Sequence, residues 1–230
     1  MKHVLKLLKW CFIIFVGGSL IEVLIFKYVP VPVTPLMLIR IAQQVKAGRE
    51  VKLVHHWEPL DSISSSLPQA VWASEDQLFL QHHGFDFKQI GEAVKERNSG
   101  HRQRGASTIS QQTAKNVFLW PTSSWVRKGF EVWFTVLIEV LWDKQRIMEV
   151  YLNSIEMGDG IYGAEAVAHE HFGCNAAQLS KQQCALIAAS LPNPILFNSS
   201  APTTYMYRRQ RWIMRQMRQL GPFPRSENKD

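Results

Sequence analysis

The sequence predicts a mainly α-helical body behind a single N-terminal membrane-spanning helix. Three observations carry this expectation. Helix start signals recur: Thr108 with Gln111 and Ser180 with Gln183 have capping-box spacing, and Asp143 stands ahead of another helical segment. Between such signals the apolar residues return on a 3.6-residue period. Near the N-terminus, Lys2, His3, Lys6 and Lys9 precede an apolar run over residues 10–26, close to the roughly 20 residues that cross a bilayer.

The N-terminal run reads as a retained signal-anchor. No small-x-small cleavage site follows it, and Glu22 lies near one end rather than at the centre. Basic residues ahead of the span and few just after it place the N-terminus in the cytoplasm and the body outside. Pro30, Pro32 and Pro35 mark a linker, so residues 1–35 form the anchor and linker, and residues 36–225 the body. A chain of 230 residues leaves room for one domain with a proper core. The formal charge of +7 suggests an anionic partner: phosphate, nucleic acid or an acidic membrane surface. Cys11, Cys174 and Cys184 show neither metal-ligand spacing nor a disulfide framework.

Residues 36–45 read as helix and residues 48–57 as a short strand or extended segment, with His55 and His56 at the surface. Residues 67–84 read as one helix, with Ser66 as its cap, Pro68 in its first turn and Gly84 at its end. On a helical wheel Val71, Glu75, Leu78, Phe79 and His82 share a face, and Asp76 is turned away. Glu75 therefore sits within an apolar stripe, where a carboxylate must be paired, protonated or lining a cleft. A second helix runs from residue 85 toward Arg97, followed by a flexible basic loop over residues 98–105 that carries Arg102 and Arg104.

The helix that starts at Thr108 has free amides, hydroxyls, arginines just before it and Lys115 within it. These suit an anion site, and they suit an ordinary capped helix equally well. The glycine pattern of a nucleotide P-loop is absent. Residues 118–125 form an apolar loop with Trp120 and Trp125, either a plug in the core or a contact with the lipid interface. On a helix over residues 125–142, Arg127, Lys128 and Glu131 cluster beside Phe134, Thr135, Ile138 and Trp142. Further helices are expected over residues 144–155, 164–172 and 203–220, with a turn-rich loop at 158–163 and an apolar helix from the Ser180 box to Pro192. His169 and His171, two residues apart on a helix, are no zinc signature. In the last helix Trp212, Ile213, Met217 and Leu220 face inward. Arg208, Arg209, Arg211, Arg215 and Arg218 face mostly outward, a solvated face that also suits anionic lipid. No recognition-helix pattern favours nucleic acid.

Four ordered blocks now stand out: Glu75-Asp76-x-x-Phe79-x-x-His82-x-Gly84, Gly105-Ala106-Ser107-Thr108-Ile109-Ser110-Gln111-Gln112-x-Ala114-Lys115-Asn116, Arg127-Lys128-x-x-Glu131, and Lys144-x-x-Ile147-x-Glu149-x-Tyr151-Leu152-Asn153. Together they resemble the peptidoglycan glycosyltransferases, a lysozyme-like helical family, over residues 67–221. The short length, the N-terminal anchor and Trp125-Val126-Arg127-Lys128-Gly129 are similar to its monofunctional Gram-negative members. Thr113 stands where Leu is usual, and Ser110 where Thr is common.

The resemblance implies that lipid II is polymerised into linear β-1,4 glycan strands and that undecaprenyl pyrophosphate leaves, with inversion at the donor carbon. It implies Glu75 as general base toward the acceptor 4-hydroxyl, and Glu131 as the second catalytic carboxylate, organising the donor pyrophosphate with or without a divalent metal (Mg2+ or Mn2+). Thr108, Gln112, Lys115, Arg127 and Lys128 match positions around that pyrophosphate. Asp76, Phe79, His82, Ser107, Gln111, Asn116 and Asn153 complete the substrate-binding set. The implied partners are lipid II, the growing lipid-linked glycan, the inner membrane with the body in the periplasm, and cell-wall synthesis or division proteins. A muramidase or lytic transglycosylase shares the fold and a catalytic Glu but needs no pyrophosphate clamp. A non-enzymatic cell-wall scaffold needs neither carboxylate.

Overall fold

The computed structural model describes residues 2–99 and 107–224. Residues 102 and 104 of the basic loop, Gly105 and Ala106 of the second block, and the last residue of the expected domain lie outside these. The described chain is mainly helical, with one small sheet. Helix α1 (Lys2–Tyr28) is 27 residues long, about 40 Å at 1.5 Å per residue. By length and composition it can cross a membrane, and most of its apolar surface is bare. Its second half docks on the body. Trp133 Nε1 donates to Ser19 Oγ at 3.0 Å, Trp142 Nε1 donates to the Val23 carbonyl at 2.8 Å, and Arg146 donates to the carbonyls of Phe26 and Val29.

Thr34 caps α2 (Pro35–Lys46), with Pro35 in the first turn where its missing N–H costs nothing. Next comes strand β1 (Val54–His55), then α3 (Ser66–Glu75). Helix α3 is shorter than the sequence predicts. Ser66 is its first helical residue rather than its cap, and Asp76 leaves helical geometry at φ −161°, ψ 82°. The carboxylate of Asp76 explains the break. It accepts from the Ile109 backbone N–H at 3.0 Å and from His82 Nε2 at 2.9 Å, bonds that a continued helix could not reach. Residues 77–84 then run as turns and bends. The wheel that grouped Glu75 with Phe79 and His82 fails with that helix, although Phe79 is fully buried and Glu75 half-buried.

After α4 (Phe87–Asn98), the Thr108–Gln111 box forms as expected and opens α5 (Ile109–Phe118). Ser124 caps α6 (Trp125–Leu141), and Asp143 caps α7 (Lys144–Ser154). The stretch expected to be a turn-rich loop is instead a hairpin of β2 (Glu156–Gly158) and β3 (Ile161–Tyr162), with β1 parallel to β3 in the order β1-β3-β2. This pairing also buries half of His55, whose Nε2 meets the Asn153 carbonyl at 3.0 Å, so His55 is not a surface residue. Helices α8 (Ala164–Phe172), α9 (Lys181–Ser190) and α10 (Thr204–Leu220) complete the chain. All three cysteines are free.

Two packed groups of helices share one core. In the first, α9 turns Cys184, Ala185, Ala188 and Ala189 inward, all fully buried; such small side chains let α3 and α10 approach closely. In the second, α5 lies between α6 and α7, with Phe118 stacked on Phe134 at 4.5 Å and Ile138, Ile147 and Leu152 fully buried. Each such aliphatic side chain contributes roughly 1.5–3 kcal/mol of burial. In the apolar loop after α5 Leu119 plugs the core, whereas Trp125 and Val126 on the first turn of α6 point outward, 88% and 67% exposed.

Gly163 joins the hairpin to α8 at φ +84°, and a Cβ there would stand 2.7 Å from the Asn153 carbonyl oxygen. Gly173 ends α8 at φ +63° with open space around it. Gly173→Ala should therefore cost about 1 kcal/mol for the left-handed backbone alone. Gly163→Ala should cost clearly more, read as a larger fall in melting temperature. Equal losses would contradict the close packing at the end of α7.

Candidate active site

The site is built along one face of α5. At its start, Thr108 accepts from the Gln111 N–H and donates its own hydroxyl proton to the Gly84 carbonyl at 2.7 Å; Gln111 Oε1 returns a bond to the Thr108 N–H. The capping box thus fastens α5 to the turn after α3. The Gly84 N–H donates to His82 Nδ1 at 3.1 Å, which leaves the ring proton on Nε2, facing Asp76. Behind this turn, Lys144 Nζ bonds Glu139 and the His82 carbonyl and lies 4.5 Å from the centre of the Phe79 ring.

One turn into α5, Gln112 Nε2 donates to Glu75 Oε2 at 3.2 Å, while Gln112 Oε1 accepts from the buried Tyr151 hydroxyl at 3.1 Å. The ionised Glu75 carboxylate can only accept, so the Gln112 amide turns its N–H toward it and leaves Oε1 to accept from the Tyr151 hydroxyl. Ser74 Oγ donates to the other carboxylate oxygen, Oε1, at 3.2 Å. Burial pushes the Glu75 carboxyl above its usual range; the bonds from Gln112 and Ser74 and the charge of Arg209 oppose that rise, and Asp76 adds to it. Burial and the carboxylates of Glu75 and Asp76 push the Tyr151 phenol well up, so it stays a neutral donor.

Lys115 follows three residues later on the same face. Burial holds its ammonium below the ordinary lysine range; Glu131 opposes this, and Arg127 and Lys128 reinforce it. Glu131, 2% exposed, lies between Arg127 Nη1 at 2.6 Å and Lys128 Nζ. Three cations thus surround one carboxylate, a surplus of positive charge that a polyanion can neutralise. Gln112, Lys115 and Asn116 also line a cleft of about 230 Å3, with Arg40 of α2 on its wall and Ile155, Glu156 and Pro192 among its other residues.

The residues expected at the site divide into three groups. Glu75, Gln112, Lys115, Asn116, Arg127, Lys128 and Glu131 come together along α5 and the start of α6. Asp76, Phe79, His82, Thr108 and Gln111 are at most about 10% exposed and hold the scaffold, their polar groups bonded to one another or to backbone, while Ser107 is exposed just ahead of the cap. Asn153 is not brought in at all. It is fully buried, and its amide is taken by the Glu58 N–H and by the carbonyls of Glu58 and Glu149. Nor does Glu131 fit a metal held by the protein alone. Both of its oxygens are bonded to cations, and among the described residues no three His, Cys, Asp or Glu side chains converge. Sequence reasoning gave no role to Ser74, Tyr151, Arg209 or Arg40. Tyr151 lies in the fourth block, but nothing local says that it reaches Gln112.

A half-buried carboxylate at one end of a helix face and a cationic cluster farther along it, on a mainly helical body, are the arrangement of a group-transfer enzyme. The family model described as transglycosylase matches residues 42–218, and the chain belongs to that family. It is 56% identical over 228 residues to a protein of Bacteroides thetaiotaomicron named biosynthetic peptidoglycan transglycosylase, covering 99% of this chain and 92% of the relative. Relatives of the same name in Pseudomonas fluorescens (strain Pf0-1) and Chromohalobacter salexigens are 50% and 49% identical, each over 96% of this chain and 90% and 94% of their own length.

The raised Glu75 carboxyl has a cost in stability. Its folded-state pKa lies above the unfolded value, so as pH rises the unfolded chain loses the proton first and stability falls across that window. Glu75→Gln keeps an oxygen for Gln112 and removes the buried charge. Its melting temperature at pH 7.5 should equal or exceed that of the parent, with the difference vanishing at pH 4. A lower melting temperature at neutral pH would show instead that the ionised carboxylate stabilises the fold.

Proposed function

We propose that the chain polymerises lipid II into linear β-1,4 glycan strands of peptidoglycan and releases undecaprenyl pyrophosphate. The observation that carries this reading is the placement of Glu75, through Gln112, and of the Lys115–Arg127–Lys128–Glu131 cluster on one helix face. A base and a leaving-group clamp are the two things this reaction requires. Glu75 takes the proton from the 4-hydroxyl of the acceptor GlcNAc, and that oxygen forms a bond to the donor anomeric carbon. The bond from that carbon to the pyrophosphate oxygen breaks, and its electron pair leaves with the pyrophosphate. Lys115, Arg127 and Lys128 stabilise the charge that develops there. Attack opposite the leaving group inverts the anomeric centre. A carboxylate whose proton affinity is raised by burial suits general-base work near neutral pH. The names of the relatives support the same substrate class.

In this reading α1 is a single-pass anchor in the inner membrane, with its lysine-rich start in the cytoplasm and the catalytic domain of residues 36–225 in the periplasm. The docking of α1 on α6 supports it. The helix that carries the clamp is the helix that touches the anchor, and Trp125 and Val126 stand exposed on its first turn. Polyprenyl tails of donor and acceptor then run from the clamp into the bilayer over a short path.

Purified full-length protein given labelled lipid II should yield long glycan chains, and Glu75→Gln should reduce that rate by about 100-fold or more. Shortening of preformed glycan by the parent protein would favour a hydrolase, and near-parental turnover by Glu75→Gln would remove the base assignment.

A further inference from the structure

Arg209 sits on α10, the helix whose other arginines meet solvent, yet it turns inward. Its Nη2 donates to the Ser74 carbonyl at 3.1 Å and toward Ser74 Oγ at 3.4 Å, and its guanidinium lies 4.1 Å from the centre of the Trp212 ring. Ser74 Oγ in turn donates to Glu75 Oε1 at 3.2 Å. The hydroxyl has one proton and two lone pairs, so it can accept from Arg209 while donating to Glu75. The position of Arg209 is fixed by the register of α10 on α3: Gln69 Nε2 donates to the Met217 carbonyl at 2.7 Å, and Gln77 Nε2 to Gln216 Oε1 at 3.1 Å.

We infer that Arg209 is a positioning residue that acts on Glu75 through Ser74, fixing both the rotamer of the carboxylate and its charge state. The inference rests on the reading of Glu75 as general base. The groups around Glu75 come from each packed element. Asp76 adjoins it on the chain, Gln112 and Tyr151 approach from α5 and α7, Arg209 approaches from α10, and α9 presents the Ala188 carbonyl to Ser74. Gln112 is neutral, and the Tyr151 phenol stays protonated. Of the charges acting on Glu75, Asp76 resists ionisation and Arg209 favours it. Gln112 and Ser74 thus hold the two carboxylate oxygens from opposite sides, and only the Ser74 side is backed by a charge. A purely structural role is also available to Arg209, because Ser74 lies in the last turn of α3, where carbonyls lack helical partners. The two roles differ in what they do to the pH dependence.

The test is the lipid II polymerisation rate of the full-length protein against pH for the parent, Arg209→Gln, Arg209→Lys, Ser74→Ala and Glu75→Gln, with melting temperatures alongside. The base must be ionised to act, so the rate falls on the acid side. Losing the Arg209 charge or the Ser74 hydroxyl favours the protonated form and moves that limb to higher pH. The loss in Arg209→Gln and Ser74→Ala should be several-fold greater at the acid end than on the alkaline plateau, and Arg209→Lys should restore the limb position. A limb that stays in place while rate or melting temperature falls uniformly would overturn the inference. If Arg209→Gln does not fold, Arg209→Met takes its place with the same expectation, and an unmoved limb in Ser74→Ala overturns the relay by itself. An active Glu75→Gln would overturn the underlying reading instead; an inactive Glu75→Gln with an unmoved limb overturns only the role of Arg209.

Discussion

The carboxylate of Asp76 is the joint on which the site depends. It ends α3, accepts from the first N–H of α5 and holds His82, all at 2% exposure. A buried carboxylate is tolerable only when its oxygens are satisfied, and a helix N-terminus offers both amide donors and a favourable dipole. Because the joint falls one residue after Glu75, the last side chain of α3 emerges beside the first turn of α5. Gln112, one turn along, then reaches it. The same joint brings Thr108 to Gly84, so the capping box serves as a tie between segments as well as a helix start.

From that joint the chemistry follows along a single helix. α5 carries neither carboxylate, but its face spaces them: Gln112 touches Glu75, and Lys115 feels Glu131, Arg127 and Lys128. Burial acts in opposite directions on the two charges. It raises the proton affinity of Glu75, as the proposed base role requires, and weakens the hold of Lys115 on its proton, a cost that the proposed pyrophosphate would offset. Glu131 lowers the surplus of positive charge in the absence of substrate and orients two of the three cations.

Much of this was legible in the residues. The capping boxes at Thr108 and Ser180, the Asp143 cap and the Arg127–Lys128–Glu131 cluster are local signals, and the structure has them where the spacing put them. The failures have one cause: the deciding partner is far away in sequence. Helical periodicity through residues 76–84 is real, but Asp76 finds a stronger partner 33 positions later at Ile109, and the helix stops. The hairpin at residues 156–162 exists because β3 pairs with Val54 and His55, about a hundred residues back in the chain. Asn153 belongs to the fourth motif block, yet its amide is taken up by Glu58 and Glu149. Arg209 looks like one more arginine on a solvated face until α10 is placed on α3.

In the proposed mechanism the two ends of α5 have separate duties, and binding without turnover separates them. Titration of undecaprenyl pyrophosphate in detergent micelles, followed by calorimetry, reads the clamp alone. Lys128 is 39% exposed at its side chain, so its removal perturbs the fold little. Glu75→Gln should bind the pyrophosphate as tightly as the parent, and Lys128→Ala about tenfold more weakly, as expected for one lost charge-assisted contact. Parental affinity in Lys128→Ala together with lost affinity in Glu75→Gln would contradict the division of labour along α5.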